Sequence, residues 1–141
     1  MFGTFHGELM AETVVGLMLA FARGIKLSFD MRGKSDWPRR IISGQMFALR
    51  GSHAVILGFG HIGKWIGRLL KPFGVRITGV NRTDMTPGEY FADGDTVIPF
   101  SELDSMLPSA DHLILALPGT TGTDKIIDKE RLQLLSNKAF V

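Results

Sequence analysis

The spacing Gly58-Phe-Gly60-His-Ile-Gly63 is the part of this sequence best suited to chemistry. It follows the apolar run His53-Ala-Val-Ile-Leu57 without a spacer, so a buried strand would pass straight into a turn and a helix. Each glycine has its own reason to be there. Gly58 permits a tight turn, Gly60 lets backbone approach a pyrophosphate, and Gly63 lets the next helix press against the strand. Free N–H groups at the helix start, at His61 and Ile62, would then meet phosphate oxygens together with the positive end of the helix dipole. Such a glycine pattern alone also describes an ordinary loop, so its flanks must decide.

The flanks support a phosphate turn. Ile62, Ile66, Leu69, Leu70 and Phe73 fall on one helical face, and Pro72 and Gly74 end that helix. Val75-Arg-Ile-Thr-Gly-Val80 reads as a second strand. Strand, glycine turn, helix and strand therefore occur in the order of a dinucleotide-binding unit.

The end of the second strand should choose between nucleotides. NAD-binding units place an Asp or Glu there to accept hydrogen bonds from the adenosine ribose. This chain has Asn81, Arg82 and Thr83 instead. Asn81 carries no charge to repel a 2′-phosphate, Arg82 offers a planar set of donors suited to one, and the Thr83 hydroxyl could add another. These residues favour NADP over NAD. In the alternative, Arg82 is a solvated loop cation, and Asp84 or Asn81 holds a plain ribose.

Composition bounds the rest. The chain has 141 residues, 45% hydrophobic and 21% charged, ordinary for one soluble globular domain. A net charge of +2 with dispersed basic residues gives no argument for nucleic acid. Lys34, Arg39 and Arg40 beside Trp37-Pro38 read as a solvated turn. The absence of cysteine excludes disulfides and thiolate metal sites, and no other metal-ligand pattern stands out. The longest apolar stretch, Val14 to Ala22, is too short for a bilayer, and no leader is visible, so the cytoplasm is the expected compartment.

The remaining elements must position the turn. A first helix is expected over about Glu8 to Met31, with Ala11, Val14, Val15, Met18, Leu19, Ala22 and Ile25 as an apolar stripe. Leu17 and Phe21 widen that stripe almost all round, which implies a second subunit or further domain against it. His6 would precede this helix. Ser35-Asp-Trp-Pro-Arg-Arg40 is expected as a connection. Thr96-Val-Ile98 is a short third strand, and Ser101 to Asp104 resembles a capping box opening a helix to Leu107. His112-Leu-Ile-Leu-Ala116 is a strand buried on both faces. Asp128 should cap a helix through Leu135, and Lys138 to Val141 begins another strand. The expected fold is α/β: a doubly wound parallel sheet of Rossmann type, ordered third, second, first, fourth, fifth, and cut short in its second half. The whole chain, 1–141, is one dinucleotide-binding domain, with 1–40 a long helix and connection and 41–141 the core.

These residues together resemble the NAD(P)-binding domain of the D-isomer-specific 2-hydroxyacid dehydrogenases, which include glyoxylate and hydroxypyruvate reductases and phosphoglycerate dehydrogenases. The matching stretches are Ala11-Glu-Thr13, the Gly58 to Gly63 turn, Leu70-Lys-Pro-Phe-Gly74, Leu117-Pro118, Thr120-Thr-Gly-Thr123 before Ile126-Ile127, and Glu130 through Val141. The resemblance implies that His61 and Ile62 lie under the pyrophosphate, and that Asn81, Arg82 and Thr83 surround the adenosine ribose. It places Leu117 and Pro118 on the adenine side of the cleft and Thr123 near the cofactor. Leu117 and Pro118 could equally be the ordinary end of a buried strand, and Thr123 could simply cap a turn. Trp37 matches a tryptophan that in some members reaches toward the partner subunit's active site; an interface or core aromatic is the other reading.

The implied chemistry moves hydride between the nicotinamide and a small 2-oxo or 2-hydroxy acid. The Arg, Glu and His that the family uses for it lie beyond the strand beginning at Ala139, and its substrate-binding domain is not in these residues. No catalytic residue is therefore assigned here. His53 and His112 open strands, and His61 belongs to the phosphate turn. The chain by itself is expected to bind nucleotide weakly and turn nothing over. The resemblance also implies a homodimer. Two other classes stay open: a non-catalytic dinucleotide-sensing or scaffolding module of corepressor type, and a methyl-donor enzyme, which Arg82 disfavours because that donor has no phosphate to meet.

Overall fold

The computed structural model describes residues 3–33 and 39–141. Its centre is a parallel sheet of β1 (His53–Leu57), β2 (Arg76–Asn81), β3 (Thr96–Pro99) and β4 (His112–Leu115), ordered β3-β2-β1-β4. β1 lies between β2 and β4, with Leu57 opposite both Val80 and Leu115. Phe140 pairs with His112 in a single parallel bridge on the far side of β4, the place expected for a fifth strand. Every residue of β1 is buried, as a central strand covered on both faces requires. β4 is less covered, because Leu115 is half exposed.

Helices cover both faces. α1 (Gly3–Ala22) packs on α4 (His61–Leu70), and their apolar residues form one core with Ala54, Ile56 and Ile77. The other core gathers Val55, Leu57 and Val80 under α5 (Leu103–Met106) and the flanking turns, with Ile126, Ile127 and Leu135 against it. Asp128 caps α6 (Lys129–Leu134), accepting the Arg131 N–H at 2.9 Å. A buried carboxylate fixes the approach to β3. Asp95 accepts the N–H groups of Ile77 and Ala92 at 2.8 Å each and pairs with Lys71.

Several expectations need correction. The first helix does not run from Glu8 to Met31. It ends at Ala22, Gly24 takes the left-handed conformation at φ 63°, and α2 (Ile25–Asp30) starts again after it. His6 lies inside α1 rather than before it. Arg39 and Arg40 open α3 (Arg39–Gln45) instead of ending a connection, since a proline bars helix from its own interior position and the residue before it but not from the residues that follow. Lys34, Trp37 and Pro38 lie outside the described residues. No capping box forms at Ser101. The chain leaves Pro99 through a 3-10 turn over Phe100–Glu102, so Ser101 sits within the turn and α5 has no side-chain cap. Asp104 reaches Arg131 instead, at 2.7 Å. Leu17 and Phe21, the part of the stripe expected to meet a second subunit or further domain, are 57% and 51% exposed in the single chain.

Candidate functional site: the glycine turn and the crevice beside it

The turn after β1 is held from three sides. The N–H groups of Gly58 and Phe59 both donate to the Val80 carbonyl, at 2.9 and 3.1 Å, which ties the turn to the end of β2. Gly58 has φ 95°, open to glycine alone among common residues, and a β-carbon there would lie 2.6 Å from the Ala116 carbonyl oxygen. A β-carbon on Gly63 would collide with the Gly58 carbonyl, so this glycine lets α4 seat on the strand. Gly60 differs from both. Its φ of −88° is negative, and a β-carbon on it would touch nothing within 4 Å. Open space at that position is what a ligand brought against the backbone needs.

Phe59, between the first two glycines, was not singled out as a site residue. Its ring is fully buried over Gly79 of β2, where a β-carbon would fall 2.6 Å from its Cδ1 atom, and it tilts against Phe91. The signal was present in the sequence: an aromatic between turn glycines, matched by a lone glycine inside a strand. Tyr90 was missed as well. It lies against Gly67 on α4 and donates its hydroxyl to the Lys64 carbonyl at 2.6 Å; burial pushes its phenol pKa up.

Helix α4 begins at His61 with Gly60 as its N-cap. No side chain caps it, and its first turn holds no acidic residue. The first N–H groups of a helix lack intrahelical partners, so the amides at His61 and Ile62 face the crevice with the positive helix end. This start fits a diphosphate: donors, a favourable dipole, and room at Gly60.

The residues after β2 form a second wall. Asn81 Oδ1 accepts the Arg82 N–H at 3.1 Å, and its Nδ2 donates to the Asp84 carbonyl at 3.1 Å, so this side chain shapes the turn. Arg82 is exposed, and its Nη2 comes within 3.7 Å of a β-carbon position on Gly122, in the loop after β4. The guanidinium thus leans across toward the opposite wall. Thr83 is exposed. Asp84 accepts the Thr86 N–H at 2.9 Å and pairs with Lys64 of α4 at 3.2 Å. Hydrogen bonds from Thr86, then Lys64, hold its carboxyl down at about 2.

The third wall follows β4. A Leu117 methyl would stand 3.0 Å from a β-carbon on Gly58, so strand end and glycine turn meet directly. Pro118 is exposed, and its carbonyl accepts the Thr123 hydroxyl at 2.6 Å. That hydroxyl also accepts the Thr120 N–H at 2.9 Å. Thr123 therefore does cap its turn, and it does so at the rim of the crevice. Gly58, Gly60, His61, Ile62, Gly63, Asn81, Arg82, Leu117, Pro118 and Thr123 all lie at or just beyond the carboxyl ends of β1, β2 and β4, the side on which open α/β sheets bind ligands.

Two histidines lie elsewhere. His53 is buried at the start of β1, with Nε2 2.8 Å from the Thr78 hydroxyl and Nδ1 3.0 Å from the Ser109 carbonyl. His112 is buried against the rings of Phe47 and Phe140, which also stack on each other, and among the described residues its Nε2 has no partner. Desolvation lowers the pKa of both. They occupy the strand starts, opposite the crevice. Among the described residues no cluster could hold a metal, and no helix is long and apolar enough to cross a membrane.

The chain is 30% identical over 132 residues to D-3-phosphoglycerate dehydrogenase of Methanocaldococcus jannaschii, covering 94% of this chain and 24% of that protein. It is 29% identical over 139 residues to glyoxylate reductase of Thermococcus kodakarensis, covering 95% and 40%. The crystal structure of phosphoglycerate dehydrogenase from Lactobacillus plantarum superposes with a TM-score of 0.81 at 25% identity, over 95% of this chain and 41% of that one. The chain thus spans well under half the length of these relatives. Residues 15–141 match the family model of the D-isomer specific 2-hydroxyacid dehydrogenase NAD binding domain, and the chain belongs to that family.

Proposed function

We propose that this chain is the cofactor-holding part of an enzyme that moves a hydride between a nicotinamide dinucleotide, NADP in preference to NAD, and a small 2-oxo or 2-hydroxy acid. In this reading the amides at His61 and Ile62 hold the pyrophosphate, Gly58, Gly60 and Gly63 make room for it, and Leu117, Pro118 and Thr123 border the nucleoside. Asn81, Arg82 and Thr83 surround the adenosine ribose. The dinucleotide supplies the hydride; these residues only bind and orient it. The substrate class follows the relatives, whose names include a glyoxylate reductase and a phosphoglycerate dehydrogenase.

The observation that carries the NADP preference is the wall after β2, where Asn81 stands in place of an acid and the Arg82 guanidinium leans over the crevice toward Gly122. The test is calorimetric titration of NADPH and NADH onto the wild type and Arg82→Ala. The variant should weaken NADPH and leave NADH alone. Equal loss for both, or none, would show that Arg82 does not read a 2′-phosphate. We further propose that the 141 residues bind dinucleotide without turnover; saturable reduction of glyoxylate by them alone contradicts this. Two copies are proposed to pair through α1, supported by the exposed Leu9, Met10, Leu17 and Phe21 along it.

A further inference from the structure

We infer that the Lys64–Asp84 ion pair sets how strongly this site prefers a 2′-phosphorylated adenosine, with Lys64 cancelling a carboxylate that would otherwise repel the phosphate. The inference rests on Arg82 facing that phosphate. Asp84 lies two residues beyond Arg82, at most about 7 Å along the chain. Asn81 grips both positions, taking the Arg82 N–H and donating to the Asp84 carbonyl. With Arg82 facing the 2′-phosphate, this turn brings the Asp84 carboxylate into its neighbourhood. It stays ionised at neutral pH, because Thr86 and Lys64 hydrogen bonds stabilise its charge.

A ribose 2′-phosphate brings roughly −1.5 to −2 charges. An uncompensated carboxylate within about 8 Å of it would oppose binding. Lys64 meets that carboxylate at 3.2 Å from the first turn of α4, the helix whose start faces the pyrophosphate. Both side chains are partly open to solvent, so the effect is a modest, salt-screened one. It amounts to about threefold in affinity for each charge removed.

The probes are 2′,5′-ADP and 5′-AMP, titrated calorimetrically onto the full 141-residue chain at low salt and at 1 M sodium chloride. Asp84→Asn keeps the acceptor for the Thr86 N–H and should tighten 2′,5′-ADP about threefold. Lys64→Met should weaken it by about as much, and the double variant should return to wild type. All three should move 5′-AMP by less than 2′,5′-ADP, and high salt should erase the differences. Equal shifts for both ligands would reveal a structural role and overturn the inference. Arg82→Ala abolishing the 2′,5′-ADP preference while both ion-pair variants leave it intact would overturn the inference alone. A wild type with no preference for 2′,5′-ADP would instead overturn the reading of Arg82, and this inference with it.

Discussion

Alanine at Gly60 should cost the folded chain less than alanine at Gly58 or Gly63 and remove most of its affinity for a dinucleotide. The three turn glycines have the same chemistry and different surroundings, so their alanine variants separate folding from binding. At Gly63 the new methyl would strike the Gly58 carbonyl, which is backbone and cannot turn aside. Overpacking of that kind costs about 1–3 kcal/mol, or roughly 3–10 °C in melting temperature for a chain this long. At Gly58 the methyl meets the Ala116 carbonyl, and φ 95° adds strain of about 1–3 kcal/mol. At Gly60 the methyl enters open space at a negative φ, so the change should cost less than at either neighbour, about 1 kcal/mol for alanine at a helix N-cap. That open space is where the diphosphate would lie. Displacing it from the amides at His61 and Ile62 loses charge-assisted hydrogen bonds of about 1.5–3 kcal/mol, or roughly ten- to hundredfold in affinity. Urea denaturation of the ligand-free variants and NADPH titration on each give both quantities. A Gly60→Ala chain that melts as low as Gly63→Ala, or one that binds NADPH as tightly as the wild type, refutes the reasoning.

Other consequences are as direct. Phe59→Ala should lose about 3–5 kcal/mol in urea denaturation, because the ring over Gly79 is fully buried. Burial lowers the pKa of His53 and His112 below the ordinary 6.5, so the unfolded chain binds more protons at mildly acid pH. Stability should be full above about pH 6.5 and fall as the pH drops below it; His112→Phe, which keeps the stack with Phe47 and Phe140, should make that fall shallower in melting curves. Sedimentation at tens of micromolar should find a dimer, and Leu17→Glu with Phe21→Glu should yield monomer; a wild-type monomer contradicts pairing through α1.

What the sequence showed and what it concealed divide along physical lines. The run from His53 to Asn81 was legible because a continuous apolar strand, a glycine turn and a period of 3.6 follow one another with little dependence on distant contacts. The Asp128 cap was legible for the same reason. The break at Gly24 was hidden, since apolar spacing continues on both sides and only the backbone's left-handed turn interrupts it. At Ser101 the motif was present, but the 3-10 turn after Pro99 put the serine in the wrong position to cap. Within the site, Arg82 and the glycines were visible from spacing. The Lys64–Asp84 pair was not, because it joins a helix to a loop twenty residues away. Phe59 and Gly79 likewise meet only once β1 and β2 are paired.

The central claim is that the amides opening α4 grip a diphosphate, and amide chemical shifts report on it residue by residue. With NADPH added to the 15N-labelled chain, the signals of Gly60, His61 and Ile62 should move saturably, with Arg82 and Thr123 moving alongside and His53 and His112 still. Unmoved signals at the start of α4 under millimolar NADPH, or shifts confined to the other end of the sheet, would contradict it.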